Sequence, residues 1–176
     1  MTLEAISIGI VCYNNASSIE PCLKSIAQQN RTHLVEIIIV DNGSTDGSAK
    51  IIETFFQSHH HISWVYRRNV QNNLSTARNL IIQLAQYPLV AYIDADCEAP
   101  SNWLNSLHQQ FQNIKLKDPL TSGICAGNRP TKNSDLHQAI HLLQSSFFGN
   151  GRSPQAWIPN TKPHKVSHLP TTNCLF

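Results

Sequence analysis

The strongest constraint on how this chain folds is a pair of segments, ISIGIV (residues 6–11) and VEIIIV (residues 35–40), rich in apolar and β-branched residues. Such runs read as strands covered on both faces, and strands of that kind belong to sheets sandwiched between helices. The sequence between them supplies a cover. In NNASSIEPCLKSIAQQ the period changes: Ile19, Leu23 and Ile26 recur at helical spacing, and Ser17 three places before Glu20 has the form of a capping box. DNGSTDGS then breaks the second strand with glycines and capping residues. Ile51, Ile52, Phe55 and Phe56 give a second helix its apolar face.

The alternation continues. ISWVY (62–66) predicts a third strand, RRNVQNNLS (67–75) a loop, TARNLIIQLAQ (76–86) a helix and LVAYI (89–93) a fourth strand. A further helix opens at Pro100, a residue suited to a first turn. Strand–helix alternation repeated four times predicts an α/β fold with a largely parallel sheet and helices on both faces. Beyond Phe111, SGICAGNRP predicts another strand and turn, and HKVSHLPTTNCLF one more strand. Residues 135–148 predict a helix with Leu136, Ile140, Leu143 and Phe147 on one stripe. A length of 176 residues fits one domain, since roughly 100–200 residues per domain is usual.

Composition narrows the function. The net charge is +2 and the basic residues are scattered, which argues against nucleic acid or an anionic membrane as an electrostatic partner. No run approaches the ~18 apolar residues of a membrane span, and MTLEAISIGIVCYNN lacks the basic lead of a signal peptide. Cys12, Cys22, Cys97, Cys125 and Cys174 include no C-x-x-C pair and read as reduced thiols of a cytoplasmic protein. The adjacent His59, His60 and His61 read as a solvated loop, because metal ligands need spacing that lets them share a site.

In parallel sheets ligands bind outside the carboxyl ends of the strands, and here the unusual polar clusters fall at those ends. YIDADCEAP places Asp94 and Asp96 directly after the fourth strand. Carboxylate oxygens suit hard divalent cations, and Mg²⁺ or Mn²⁺ takes one or two from the protein and the rest from phosphate and water. A capped turn, with Asp96 on backbone N–H groups, accounts for the same spacing. VCYNN offers the Tyr13 ring and neighbouring amides to a base, and the second strand ends in Asp41 and Asn42, both able to accept from a base or ribose. NNLSTARN places Arg78, suited to diphosphate or base recognition, in the first turn of a helix. Singly these are a packing tyrosine, a turn acid and a surface cation. A nucleoside diphosphate is the simplest single object that all of them fit.

The ordered segments ISIGIVCYNNASSIEPCLKSIAQQ, VEIIIVDNGSTDGS and NNLSTARNLIIQLAQYPLVAYIDADCEAPSNWL resemble the family 2 glycosyltransferases of the GT-A fold across about residues 5 to 110. The resemblance implies a Rossmann-like three-layer α/β/α sandwich. Residues 1–128 would form the nucleotide-sugar-binding core, and 129–176 the start of an acceptor-side region. It implies donor contacts from Val11, Tyr13, Asn14, Asp41, Asn42, Arg78, Asp94 and Ala95, with Asp96 of the D-x-D motif, joined by Asp94, holding Mn²⁺ or Mg²⁺. The donor would be a UDP- or dTDP-linked sugar, and the acceptor a glycan, a lipid-linked chain or a protein, reached at the inner face of a membrane. Transfer would proceed by single displacement with inversion. Two departures stand out. The family often has a second Asp where Asn42 stands, and Asn42 is expected to offer its acceptor oxygen to a pyrimidine N–H. The family's general base, in an E-D pair, has no match here, so it is expected beyond Phe176.

Rival readings fit less well. A nucleotidyltransferase needs a Gly-rich, Arg-containing loop after the first strand, and VCYNNASS has neither residue. A phosphoryl-transfer hydrolase needs its D-x-D after an early strand, and a nicotinamide dehydrogenase needs G-x-G-x-x-G after the first. The remaining alternative is a nucleotide-binding module without transferase activity.

Overall fold

A computed structural model describes residues 5–29, 35–126, 134–145 and 173–176. Four parallel strands form the centre: β1 (Ile6–Cys12), β2 (Val35–Asp41), β3 (Ser63–Arg68) and β4 (Leu89–Tyr92). Helices α1 (Ile19–Ala27), α2 (Ser48–Gln57), α3 (Leu74–Leu84) and α4 (Trp103–Lys117) connect or follow them. The short strand β5 (Ile124–Cys125), helix α5 (Asp135–Ser145) and strand β6 (Cys174–Leu175) complete the described elements. The sheet runs β3-β2-β1-β4-β6-β5, with β6 antiparallel to both its neighbours. The expected mostly parallel sheet between helical layers is therefore present. Residues 146–148 of the expected last helix, and a boundary near 128, fall outside the described residues.

Alternate residues of each strand feed two cores, as the period of two requires. Ile6, Ile8, Ile10, Ile37 and Ile39 face one way, into a cluster with Leu23 of α1, Phe56 of α2 and Leu104 of α4. Ile38, Val40, Val90 and Tyr92 face the other way, onto Ala77 and Ile81 of α3. Each fully buried large side chain contributes about 1.5–3 kcal/mol relative to exposure. Phe56 also stacks on Trp64, with centroids 4.3 Å apart. Gly9 lets α3 lie directly on β1: a Cβ there would sit 2.5 Å from Ile81 Cγ2 and 3.1 Å from the Tyr92 ring. Gly9→Ala is expected to destabilise the fold by about 1–3 kcal/mol through overpacking, read as a lower midpoint in denaturant.

Element ends differ from the sequence expectations for local reasons. β3 continues through Arg67 and Arg68, which pair with Val40 and Asp41; an edge strand tolerates charge where a central one would not. The Ser17 capping box does not form. Ser18 is the N-cap without a side-chain bond, the Asn15 carbonyl takes the Ser18 and Ile19 N–H groups, and Glu20 pairs instead with Lys24 at 2.7 Å. Pro100 precedes α4 in a turn whose carbonyl accepts from Trp103 N at 2.9 Å, so the helix opens three residues later than expected. No helix among the described residues is long and apolar enough to cross a membrane.

Candidate functional site

The chain runs from β1 outward to β3 and then returns to lay β4 on the other side of β1. Strand order therefore reverses between β1 and β4, and the crevice outside their carboxyl ends is where sheets of this type bind ligands. Tyr13 and Asn14 leave β1 on one side of it, and Asp94 and Asp96 leave β4 on the other.

On the β1–β2 side, two loops are clamped by side chains. Asn14 adopts a left-handed backbone (φ 51°), its N–H donates to Ser44 Oγ at 3.0 Å, and its Oδ1 accepts from Thr45 N at 2.9 Å. Asp46 accepts from Ala16 N at 2.8 Å and from the Ser48 hydroxyl at 2.5 Å, bonds that hold its carboxyl below the usual range. Asn15 N donates to Ser48 Oγ at 2.9 Å. The Tyr13 ring is left 58% exposed beside this clamp, while Val11 is half-buried against the α3-side core.

Asp41 does not present its carboxylate to the rim, contrary to the expectation of a base or ribose contact. It is 1% exposed, and its two oxygens accept from Ser44 N at 2.8 Å and from the Tyr66 hydroxyl at 2.7 Å. Burial alone would raise its pKa, but the bonds from Ser44 and Tyr66 outweigh it and the net shift is downward. Asn42 is half-buried at the rim, but its Oδ1, expected to accept from a pyrimidine, already accepts from Asn69 Nδ2 at 2.7 Å.

On the β4 side the strand ends at Tyr92, and D-A-D lies in a turn closed by Cys97 N donating to the Asp94 carbonyl at 3.0 Å. Ala95 is 2% exposed and packs into the core cluster with Leu23 and Leu104, so it offers the crevice little surface; Asp94 is half-buried and Asp96 exposed. The loop is pinned to α1. Cys22 Sγ donates to the Asp94 carbonyl at 3.6 Å, and Ala99 N to Ser25 Oγ at 2.9 Å. Buried Gln29 donates to Pro100 O at 2.7 Å and accepts from Leu104 N at 3.1 Å. Arg78 sits in the second turn of α3, which begins two residues earlier than expected, and its carbonyl accepts from Tyr92 Oη at 3.0 Å. Its guanidinium is close enough to draw the Asp94 pKa down.

One oxygen each of Asp94 and Asp96 and the Cys97 sulfur lie within 4.8 Å of one another. Burial, and then the Asp96 charge, push Asp94 up to about 6 against the opposing Arg78. Burial and the two acids push the Cys97 thiol up to about 12, so it stands neutral beside them. The hard donors are thus two neighbouring carboxylates, opposed only in part by Arg78, a set that fits Mg²⁺ or Mn²⁺. Because folding raises the Asp94 pKa, its protonated form favours the folded state, fully at pH below about 4, and that contribution is lost as pH rises through about 6. Metal-free stability should fall by about 1–2 kcal/mol across this window once solvent screening is allowed for. A denaturant series by pH checks this, and Asp94→Asn should flatten it.

The sequence missed Ser25, Gln29, Ser44, Asp46, Ser48 and Asn69 as site-shaping residues; only the capping character of DNGSTDGS hinted at three of them. Comparison with known proteins agrees with the fold. The glycosyltransferase GlyG of Streptococcus pneumoniae is 29% identical over 109 residues, covering 62% of this chain and 36% of that protein. The mannosyltransferase PcManGT from Pyrobaculum calidifontis, solved with GDP-Man and Mn²⁺, superposes with TM-score 0.62 at 20% identity, over 80% of this chain and 39% of that one. S. aureus TarS in complex with UDP-GlcNAc gives TM-score 0.59 at 20% identity, over 74% and 36%. The chain thus spans little more than a third of the length of each. These likenesses give the sheet and its helices the GT-A fold. The description of glycosyl transferase family 2 matches residues 7–175, nearly the whole chain, and the protein belongs to that family.

Proposed function

We infer that this chain binds the donor in a glycosyltransferase that moves a sugar from a nucleoside diphosphate to an acceptor hydroxyl by single displacement with inversion. The observation that carries this is the placement of the two D-A-D carboxylates across the β1–β4 crevice from the Tyr13 and Asn42 rim. The resemblance to proteins solved with GDP-Man and Mn²⁺ or with UDP-GlcNAc supports a nucleotide sugar as ligand.

In this reading residues 1–128 hold the donor and 129–176 begin the acceptor side. The exposed Tyr13 ring offers a stacking face to the base. Asn42 contributes a hydrogen bond at the edge of that base. Asn14 acts through the backbone, holding the β1 and β2 loops together. Arg78 supplies positive charge beside Asp94, where a diphosphate brings negative charge. Asp94 and Asp96 would hold Mn²⁺ or Mg²⁺, which when bound supplies Lewis-acid stabilisation of charge on the departing diphosphate. The loop from Asp94 to Trp103 is held by Cys22 and Ser25 of α1 and by Gln29 just beyond it, which fixes the backbone that carries the carboxylates. The acceptor's proton goes to a general-base carboxylate. The acceptor itself is a glycan, lipid-linked chain or protein.

Calorimetric titration with UDP, dTDP and GDP, with and without Mn²⁺, tests the reading. Binding of at least one, strengthened by Mn²⁺, is the expected result. If none of the three binds in either condition, the proposal is wrong.

A further inference from the structure

β6 enters the sheet between β4 and β5 and runs antiparallel to both. On the β5 side Ile124 stands opposite Leu175, and Cys125 opposite Cys174. Opposed residues of two paired strands point to the same face of the sheet, and the cores show which face each pair takes. Ile124 and Leu175 belong to the cluster with Leu23 of α1 and Leu104 of α4. Cys174 is buried in the α3-side cluster, and Cys125 packs against that same cluster. The two thiols therefore lie side by side on the α3 face.

The hydrogen bonds of the ladder fix how close they come. Ala126 N donates to the Asn173 carbonyl at 3.0 Å, and these two residues are the next opposed pair in the same register. Hydrogen-bonded and non-hydrogen-bonded pairs alternate along an antiparallel ladder, so Cys125 and Cys174 form a non-hydrogen-bonded pair. In such pairs the Cα atoms stand about 4.5 Å apart and the side chains approach most closely. That spacing falls within the roughly 4.4–6.8 Å that a disulfide spans. Both residues are free thiols in the structure, and no other two of the five cysteines are register partners among the described residues.

We propose that Cys125 and Cys174 are an oxidisable dithiol that closes to a cross-strand disulfide when the protein meets a small-molecule disulfide such as oxidised glutathione. Cys125 is half-buried and is the sulfur an oxidant reaches first; Cys174, 0% exposed, resolves. The Cys125 thiolate attacks one glutathione sulfur, forming a mixed disulfide and expelling a glutathione thiolate. The Cys174 thiolate then attacks the Cys125 sulfur and expels the second. Two protein thiols are oxidised, one glutathione disulfide is reduced to two thiols, and those thiols carry the two protons. Burial pushes both cysteines up, Cys174 to about 12, so the pair closes slowly. Closure makes the 126–173 segment a covalent loop and fixes β6 in place. It thereby braces Asn173, whose Oδ1 accepts from Trp103 Nε1 at 2.6 Å at the head of α4.

Incubation of the full chain with oxidised glutathione, alkylation of the remaining thiols and peptide mapping by mass spectrometry test this. The expected product has Cys125 joined to Cys174. Its thermal midpoint should rise by about 5–10 °C, because closing a loop of about 50 residues restricts the unfolded chain. Dithiothreitol should return the midpoint to its starting value, and Cys125→Ser should show neither the cross-link nor the rise. Four results would overturn the assignment: glutathione retained on Cys125 with Cys174 alkylated, both thiols left free, a bond between another pair such as Cys22 and Cys97, or a cross-linked chain that unfolds no higher than the reduced one. None of these readings uses a nucleotide, so each stands whether or not the β1–β4 crevice binds one.

Discussion

Asp96→Ala should abolish the Mn²⁺-dependent part of nucleoside-diphosphate binding, a loss of about a hundredfold in affinity, while leaving the fold in place. The size follows from what a divalent cation does for a diphosphate, several kcal/mol of charge stabilisation. The second half follows from exposure: Asp96 projects from the rim, and its one described side-chain contact is the weak Cys97 thiol bond at 3.6 Å. The unfolding midpoint should therefore move by no more than about 2 °C. A companion effect separates this from a general disturbance. The Asp96 charge is the second cause of the raised Asp94 pKa, after burial, so Asp96→Asn should let Asp94 ionise at lower pH. Titration of the Asp94 carboxyl by NMR would read that shift without any ligand. Metal-dependent binding that survives in Asp96→Ala would remove the D-A-D pair from the cation's ligands.

The parts of this molecule legible in the sequence are those whose physics is local. ISIGIV and VEIIIV declare strands covered on both sides because both sets of alternate residues go into packed cores. Two carboxylates directly after an apolar strand declare a rim for a similar reason, since a sheet interior would not accept them. What was not legible depends on partners far away in the chain. Asn69 finds Asn42 across 27 residues, and Gln29 reaches Leu104 across 75. An amide carries no sign in the sequence of whether its oxygen or its nitrogen will be used. The reach of β3 into Arg67 and Arg68 was hidden because an edge strand with one unpaired side can carry charges that look like loop. The position of Asp41 shows the limit most sharply. A carboxylate at a strand end has the same sequence signature whether it turns outward to a ligand or inward to a tyrosine.

Asp41→Ala tests the inward role. Truncation leaves the Tyr66 hydroxyl and the Ser44 N–H without their acceptor in a site where Asp41 is 1% exposed. Such losses cost about 2–4 kcal/mol, more than most single substitutions in this chain would. The damage should spread along the clamp. Ser44 accepts from Asn14 N, and Thr45 donates to Asn14 Oδ1, so a loosened turn frees the β1 loop that carries Tyr13. Nucleotide affinity should fall with stability, and hydrogen exchange should quicken at residues 43–48. Asp41→Asn provides the control, because an amide of the same shape keeps one acceptor oxygen, and the Tyr66 hydroxyl can rotate to accept from its nitrogen. A milder loss, about 1 kcal/mol, is expected there. The native carboxyl is held below the usual range, so its contribution is present above pH 4 and fades as pH falls through its lowered folded-state pKa. Acid titration of stability should show that fade in the native chain and not in Asp41→Asn. A variant that loses nucleotide affinity with its unfolding midpoint intact would instead return Asp41 to the ligand's side of the rim.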